Sequence, residues 1–486
     1  MNITGVLILL LVIGLVFLFT EKMVKYGRNN ALVGRKLLHI TGVGGLAISP
    51  AFFHNYWLIA AVSGFFGIIL YFAVKRKLLA TDLYHRESLG IALFPFAFLV
   101  LWLFWGRSAP HLVIYPMLIL AISDAAAAIF GGLFGQKRYR VSGDEKSFLG
   151  SFAFVMATFL SLWFLPGFLE GLNPIFRLEL AGVKFISDRI IILLLISLVA
   201  AGFEGATSGG WDNVTVPFSV AWLLAVLPAF HSSVLNSSLP VLAGLAGLGI
   251  FAWQKKWLNT GGSVTAAILG FVIWIGGSWQ ALILIGLFFL TGSLLGKLNK
   301  EENVAAKGGN ARDYRQVLCN GAVAGACMVW YGITQDNLAI HLFAISVAIS
   351  TADTWSSETG IWAKGKVVDI IGFKPLPVGI SGGVSLTGTL AGLAAAGFIG
   401  FIAWFMMVDS ATWVIIFGFL GMVADSVAGS LLQARYSEGA LLADAKPEGE
   451  NYALVKGYLW MDNDLVNLLS NLFVTILAGF LLYFCA

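Results

Sequence analysis

Charged side chains are scarce in this sequence. Asp, Glu, Lys and Arg together make up 12% of the 486 residues, whereas an ordinary soluble domain carries about 25%. Hydrophobic residues make up 58%, and apolar runs of roughly 17 to 25 residues recur, each long enough to cross a bilayer core as a helix. The composition excludes a soluble globular protein and predicts an all-α polytopic membrane protein.

Cysteine is also scarce, and several familiar catalytic motifs are absent. The three cysteines, Cys319, Cys327 and Cys485, lie in apolar segments without a CxxC or Cys/His spacing, so neither a disulfide framework nor a zinc site is expected. A complete P-loop is absent as well, which argues against the mechanism of soluble kinases. The net charge of +4 does not indicate a nucleic-acid partner, and we expect none.

The apolar runs predict about sixteen transmembrane helices. Basic residues are distributed unevenly over the connections between them: 26 of the 30 lie in alternate connections, and four lie in the others. The positive-inside rule therefore places the long polar loops in the cytoplasm and both termini on the opposite side of the cytoplasmic membrane. The predicted spans are 3–20, 37–53, 57–74, 90–105, 111–133, 148–167, 188–206, 214–231, 238–253, 263–276, 279–296, 316–333, 337–361, 382–405, 411–434 and 465–485.

A polar stretch over residues 232–238 divides the chain into two parts, 1–235 and 236–486. The two parts present similar features in the same order, and each holds about eight predicted spans. An even number of spans gives both parts one orientation. We therefore expect two related halves with one active site each, both facing the cytoplasm.

The most informative residues are carboxylates inside predicted spans, because burying such a group in a membrane is costly and usually serves a function. Asp124 is followed at +4 and +7 by Ala128 and Gly131, and Asp353 has small residues at the same offsets. These offsets lie on one helix face and leave room for a ligand. The alternative is an aspartate that only satisfies a partner in a helix-packing seam.

Further acidic residues follow in each half. Glu204 and Asp425 lie near the ends of later spans, and Asp212-Asn213 and Asp462-Asn463 begin the spans after those. Carboxylate and amide oxygens suit Mg²⁺, which commonly bridges substrate phosphates. The alternative for Asp212 and Asp462 is an ordinary helix N-cap.

Basic residues beside helix starts predict phosphate-binding sites, since cations and free backbone N–H groups both bind phosphate. In the first half these are Lys146 and Ser147, together with Arg35 and Lys36. In the second half they are Arg315, Lys374 and Ser385. The alternative is that the cations only set the topology.

The first half resembles the dolichol kinase/phytol kinase family of CTP-dependent polyprenol kinases over roughly residues 30–220. The resemblance rests on four motifs. They are Arg35-Lys36-Leu37-Leu38-His39, Asp124 with Ala125, Ala128, Gly131 and Gly135, the segment Lys146-Ser147-Phe148-Leu149-Gly150-Ser151, and Asp212-Asn213 with Pro217.

The second half resembles a related family, the phytyl-phosphate kinases that include the animal transmembrane protein 19 type, over about residues 240–485. Its motifs are the segments 308–321, Asp353-Thr354-Trp355-Ser356-Ser357-Glu358-Thr359-Gly360, 379–385 and Asp425-Ser426-Val427-Ala428-Gly429. In one departure from the first half, Cys319 stands where that half has His39.

The two resemblances imply a bifunctional membrane isoprenoid kinase. The first half would convert a prenyl alcohol of the phytol, geranylgeraniol or farnesol class to its monophosphate, and the second half would convert the monophosphate to the diphosphate. CTP would be the phosphoryl donor and Mg²⁺ the cofactor. Asp124 and Glu204 would act in the first half, and Asp353, Glu358 and Asp425 in the second, where Glu358 joins the metal ligands.

Two other functions are compatible with the same residues. A cytidylyltransferase acting on a lipid phosphate would also need CTP, Mg²⁺ and embedded carboxylates, but it would release pyrophosphate. A two-repeat transporter would also have duplicated halves and intramembrane acids. The position of the acids near the cytoplasmic face, away from the midplane, favours an enzyme.

Overall fold

The protein is described here from a computed structural model. The structure describes residues 28–53, 55–76, 90–141, 144–180, 183, 185–298, 311–363, 367–438, 441–444 and 453–485, with single positions at 15 and 19. The predicted span 3–20 therefore lies outside the described residues apart from these two positions. The chain divides into two compact units, residues 1–244 and 245–486.

The N-terminal unit is built from helices, with one small hairpin among the described residues. Its central helix is α4, whose apolar window is 78% buried, and α1, α5 and α7 pack around it. The helices are α1 (Arg28–Ile48), α2 (Tyr56–Lys75), α3 (Gly90–Trp105), α4 (His111–Phe134), α5 (Phe148–Leu172), α6 (Ile186–Ala206) and α7 (Asp212–Val226), followed by α8 (Ser232–Gln254), which contains the boundary between the units.

The C-terminal unit is also helical. Its central helix is α11, whose apolar window is 67% buried, and α10, α12, α13 and α14 pack around it. The helices are α9 (Thr260–Leu298), α10 (Tyr314–Thr334), α11 (Asn337–Gly360), α12 (Leu386–Met406), α13 (Ala411–Leu431) and α14 (Asn463–Cys485).

Helix α9 reverses direction in its middle. Thirty residues of straight helix would span about 45 Å, yet Gly262 and Gly292 both lie against Arg312. The reversal lies at Gly276-Gly277, where a side chain at Gly276 would meet the Met328 carbonyl oxygen of α10. The two arms, 260–277 and 279–298, correspond to the two predicted spans 263–276 and 279–296.

Thirteen helical segments among the described residues are long and apolar enough to cross a membrane. Helix α3 is apolar but shorter, and α1, which corresponds to the predicted span 37–53, is not among the thirteen. A multi-pass all-α membrane protein is thus confirmed. The sequence also predicts sixteen spans, and each one within the described residues corresponds to a helix or to an arm of α9.

Short strands lie in the loops, which the sequence analysis treated only as polar connections. Strands β1 (Arg138–Val141) and β2 (Asp144–Ser147) pair antiparallel, as do β3 (Val368–Asp369) and β4 (Gly383–Val384). Strands β5 (Arg435–Glu438), β6 (Leu441–Ala443) and β7 (Ala453–Lys456) form a sheet in the order β6-β5-β7. Each group of strands lies directly before or after a helix that carries candidate residues.

Candidate active sites

A buried ion pair joins α1 to α4 in the N-terminal unit. Lys36 Nζ donates to Asp124 Oδ2 at 2.6 Å, and His39 Nε2 lies 3.3 Å from the same oxygen. Asp124 is 7% exposed. Lys36 and His39 are three residues apart, so one face of α1 presents both side chains to the carboxylate. Two residues of the motif Arg35-Lys36-Leu37-Leu38-His39 therefore contact a buried carboxylate, which a role in membrane topology alone does not explain.

A second buried ion pair joins strand β2 to α6. Lys146 Nζ donates to Glu204 Oε1 at 2.8 Å and also to the Glu204 carbonyl oxygen. Burial by itself lowers the pKa of Lys146, but the carboxylates of Glu204 and Asp212 outweigh it and hold the pKa above its usual range. Lys146 thus places a cation on the second strand of the hairpin, beside Glu204.

Asp212 completes this group of charges. It interacts electrostatically with Asp124, Lys146, Lys36 and Glu204. Trp211 occupies the N-cap position of α7 and Asp212 is the first helical residue, so the N-cap alternative does not describe Asp212. We call Lys36, Asp124, Lys146, Glu204 and Asp212 the charged cluster.

Asn213 lies beside this cluster and has an unsatisfied oxygen. Its Nδ2 donates to the Gly210 carbonyl oxygen at 3.1 Å and to Asp212 Oδ1 at 3.3 Å. Its Oδ1 is buried without a hydrogen-bond partner among the described residues. A buried acceptor in this state costs free energy unless a ligand satisfies it. The Asn213 oxygen is therefore available to a cation or a donor in the site.

Ser147 caps α5 next to this cluster. Its Oγ accepts from Gly150 N at 3.0 Å. A side chain at Gly131 or Gly135 would meet this hydroxyl at 2.6 Å or 2.5 Å. Gly131, the small residue at +7 from Asp124, thus lets the start of α5 approach α4.

Two residues of the N-terminal unit complete this region. The side chain of Arg35 lies outside the described residues, so its predicted phosphate role is a proposal only. Tyr139 was not singled out from the sequence, yet its hydroxyl lies 2.7 Å from Ser151 Oγ and 3.2 Å from the ideal Cβ position at Gly205. Tyr139 pairs with Lys146 across the hairpin. Its place in the same polar loop as the candidate Lys146 was the sequence feature that could have identified it.

The C-terminal unit repeats the cap geometry. Ser385 caps α12 and accepts from Gly388 N at 3.1 Å. An ideal Cβ at Gly388 would lie 2.9 Å from the Ser356 carbonyl oxygen, and one at Gly150 would lie 2.8 Å from the Ala127 carbonyl oxygen. Ser356 and Ala127 each follow the central aspartate of their unit by three residues.

Asp353 and Asp425 border a polar seam between helices. Asp425 is 8% exposed and accepts from Ser470 Oγ at 2.9 Å. The next residue of α14, Asn471, donates to Ser350 Oγ at 3.0 Å, one turn before Asp353 on the same face of α11. Both carboxylates therefore lie along the contact of α14 with the centre of the unit.

The remaining candidates of the C-terminal unit have other surroundings. Asp462 Oδ1 accepts a hydrogen bond from Leu465 N at 2.9 Å at the start of α14. This bond is the helix N-cap that the sequence offers as the alternative role for Asp462. Arg315 and Lys374 are exposed. Glu358 interacts electrostatically with Arg312.

A second charged group in the C-terminal unit was missed from the sequence. Asp369 accepts from Ser430 Oγ at 2.9 Å and lies 3.9 to 4.0 Å from Lys456 and Arg435. Arg435 also donates to the Ser381 carbonyl oxygen at 2.7 Å. These residues fix the segment 379–385 against the end of α13. They come from four separate segments, and no sequence spacing relates them.

The described residues contain no group of three or more His, Cys, Asp or Glu side chains arranged to hold a metal ion. Mg²⁺ is commonly held by only one or two carboxylates plus waters and substrate phosphates. In the N-terminal unit, Asp212 interacts electrostatically with Asp124 and is followed by Asn213, whose side-chain oxygen lacks a hydrogen-bond partner among the described residues.

Comparison with known proteins gives several distant relatives. The chain is 29% identical over 198 residues to an uncharacterized membrane protein of Methanocaldococcus jannaschii, covering 40% of this chain and 81% of the relative. It is 27% identical over 216 residues to a phytol kinase of Synechocystis, covering 43% and 87%. It is also 27% identical over 279 residues to the chloroplastic protein VTE6 of Arabidopsis thaliana, covering 55% and 76%. No solved structure matches the chain.

The C-terminal part of the chain, residues 243–475, matches the family described as integral membrane protein DUF92.

Proposed function

We propose that this chain is a bifunctional membrane isoprenoid kinase. The N-terminal unit converts a prenyl alcohol of the phytol, geranylgeraniol or farnesol class to its monophosphate, and the C-terminal unit converts the monophosphate to the diphosphate, with CTP as donor. The observation that carries the proposal is the charged cluster, in which two lysines and three carboxylates from five segments meet inside a helical bundle. The similarity to a phytol kinase supports the substrate class.

The charge balance of the cluster favours a bound divalent cation. Three carboxylates and two ammonium groups leave one net negative charge. Asp124, Asp212 and the Asn213 oxygen would hold Mg²⁺, which would neutralise charge on the donor phosphates. This set fits because it offers oxygen ligands, one of them lacking a hydrogen-bond partner.

The residues of the N-terminal unit would divide the work of phosphoryl transfer. Lys146 and Lys36 bind the triphosphate, and Ser147 with the N-terminal amides of α5 contributes further donors. Glu204 positions the Lys146 ammonium. The alcohol oxygen attacks the γ-phosphorus as the bond to the β-phosphate oxygen breaks, and a carboxylate of the cluster accepts the alcohol proton.

The C-terminal unit would perform the same transfer on a different nucleophile. The oxygen of a monophosphate is already ionised, so attack needs no strong base. Asp353, Glu358 and Asp425 supply carboxylates, with Asp462 at the start of α14 as a further metal ligand. Arg315, Lys374 and Ser385 contact phosphates. The shared cap geometry of Ser147 and Ser385 supports two related halves.

The orientation follows from the distribution of basic residues. With the long basic loops in the cytoplasm, both sites face that side of the cytoplasmic membrane and receive soluble nucleotide, while both termini lie on the opposite side. The prenyl tail would remain between helices in the bilayer.

The proposal is tested with purified protein, Mg²⁺, farnesol and CTP labelled at the γ-phosphate. Wild type is expected to form labelled farnesyl diphosphate. Asp353→Asn should stall at the monophosphate, and Asp124→Asn should form neither product unless monophosphate is supplied. Glu170→Gln and Asp409→Asn are matched controls, because both acids are exposed.

The alternatives predict different products. A cytidylyltransferase would release pyrophosphate and transfer the cytidylyl group, leaving no γ-label on lipid. A transporter would accumulate solute without nucleotide turnover. Absence of labelled lipid from farnesol, geranylgeraniol and phytol would contradict the kinase proposal.

A further inference from the structure

We propose that Arg312 is the main cation of a phosphate-binding site in the C-terminal unit, formed where the chain before α10 crosses both arms of α9. The inference rests on the proposed function, because the phosphate would belong to the prenyl monophosphate or to the nucleotide. Arg312 is not among the residues that the sequence analysis assigned to the site.

The backbone at Arg312 is held from both sides. Its N donates to the Trp257 carbonyl oxygen at 3.0 Å, and its carbonyl oxygen accepts from Asn259 N at 3.0 Å. An ideal Cβ at Gly262 would lie 2.5 Å from the same carbonyl oxygen, so the absence of a side chain there permits the approach. The position of Arg312 is therefore fixed relative to the first arm of α9.

The guanidinium of Arg312 reaches the second arm of α9. Its Nη2 lies 3.4 Å from the Gly292 carbonyl oxygen. An ideal Cβ at Gly292 would lie 2.9 Å from Thr354 Cγ2 and 3.4 Å from Arg312 Nη2, so a glycine keeps this space open. Thr354 lies on α11, so the guanidinium approaches the central helix of the unit.

The charge at this place is suited to an anion. Glu358 is the acidic side chain that interacts electrostatically with Arg312, and its carboxylate lies 3.7 Å from the ideal Cβ position at Gly296. Lys297 Nζ lies 4.9 Å from the centre of the Trp257 ring, at the rim. Among Arg312, Lys297 and Glu358, the cations exceed the carboxylates by one.

Two buried polar atoms at the same junction lack hydrogen-bond partners within the described part of the chain. They are Trp257 Nε1 and Ser293 Oγ, and Ser293 is 7% exposed. The Trp257 ring contacts Phe289 at 6.1 Å between centroids and also contacts Lys297. Phe289 and Lys297 are each four residues from Ser293, so Ser293 lies on the helix face that meets the tryptophan.

These observations together describe a set of donors in which the indole N–H and the hydroxyl have no acceptor among the described residues. An arginine, an indole N–H and a hydroxyl donate to phosphate oxygens, and arginine does so with two parallel bonds. Arg315, by contrast, is exposed and donates to the Tyr314 hydroxyl at 3.3 Å. Arg312 is therefore the arginine of this segment that is placed to hold a phosphate inside the unit.

The test measures the second transfer alone, with farnesyl monophosphate and CTP varied in turn. Arg312→Gln is expected to raise the KM of one of these substrates about ten-fold or more, and Arg312→Lys is expected to restore part of the loss. Trp257→Phe keeps the ring but removes the N–H, and it should raise the same KM by a smaller factor. The exposed Lys255→Gln is the matched control.

The two substrates distinguish the source of the phosphate. A KM rise for farnesyl monophosphate assigns the site to the acceptor, and a rise for CTP assigns it to the donor. Unchanged KM values for both substrates in Arg312→Gln and Trp257→Phe overturn the inference while leaving the kinase proposal intact.

A binding measurement separates the inference from the proposed function. Farnesyl monophosphate and CTP are each added to wild type, Arg312→Lys and Trp257→Phe in detergent, and the shift in Tm is recorded. If wild type shows no transfer but a ligand-dependent Tm rise that Trp257→Phe reduces, the phosphate site stands and the kinase proposal fails. A Tm rise equal in all three proteins overturns the phosphate site.

Discussion

Lys36 Nζ donates to Asp124 Oδ2 at 2.6 Å, although 88 residues separate the two side chains in sequence. The pair joins α1 to the central helix of the N-terminal unit, and both side chains are mostly buried. An ion pair in such a place joins two helices, and removal of either partner leaves the other one buried without compensation.

The first prediction concerns the stability of this pair. Lys36→Met and Asp124→Asn should each destabilise the protein by about 3–5 kcal/mol, because each leaves an uncompensated polar or charged group. The double variant should lose less stability than the sum of the losses in the two single variants. Thermal unfolding in detergent measures all four proteins as a double-mutant cycle. Additive losses would mean that the two side chains do not interact.

The second prediction concerns the close approach of helices at the two caps. Gly150→Ala and Gly388→Ala should each destabilise the protein by about 1–3 kcal/mol, since the new methyl group would meet a carbonyl oxygen of the central helix. Gly167→Ala and Gly397→Ala are controls on the same helices, with no atom within 4 Å of the ideal Cβ. The controls should be neutral or slightly stabilising, and equal losses at all four sites would contradict the packing argument.

The third prediction concerns pH and the loop before α12. Burial by itself raises the pKa of Asp369, but hydrogen bonds from Gly372 N, Ile371 N and Ser430 outweigh it and hold the pKa below its usual range. A lowered folded pKa contributes stability that is present above the unfolded pKa of about 3.9 and is lost as pH falls through the folded value.

The variant Asp369→Asn tests this directly. The Tm difference between wild type and Asp369→Asn should be constant from about pH 5 upward and should shrink below about pH 4. The measurement is thermal unfolding in detergent at a series of pH values. A Tm difference that grows as pH falls would mean that the folded protein raises the pKa of Asp369, which would contradict the prediction.

The fourth prediction concerns Mg²⁺. Chelation by EDTA should abolish both transfers. Asn213→Ala should raise the Mg²⁺ concentration for half-maximal rate of the first transfer about ten-fold or more, and it should leave the second transfer unchanged. Phosphorylation of farnesol and of farnesyl monophosphate, followed separately against Mg²⁺, provides the measurement. An unchanged Mg²⁺ requirement in Asn213→Ala would remove this oxygen from the metal site.

Much of the helical architecture could be predicted because it depends on local composition. Apolar runs of bilayer length must satisfy their backbone groups internally, which only a helix achieves within a short segment. The same argument singled out Asp124 and Asp353, since a carboxylate within such a run is conspicuous. Both lie on the central helix of their unit.

Pairings across the chain could not be predicted in the same way. Asp212 and Asp462 have the same sequence context, an Asp-Asn pair that begins a helix. Yet one interacts with the charged cluster, and the other caps its helix. Similarly, Arg312 and Arg315 lie in one basic segment, but only Arg315 is exposed.

The sequence by itself therefore determined that this is a multi-pass helical membrane protein, because hydrophobic length and the scarcity of charge act locally. Only the tertiary structure decided which buried charges meet, that α9 turns back at Gly276-Gly277, and that strands fix the loops between helices. These outcomes depend on close contacts between distant segments, where the absence of one side chain, as at Gly150 or Gly292, decides which groups approach.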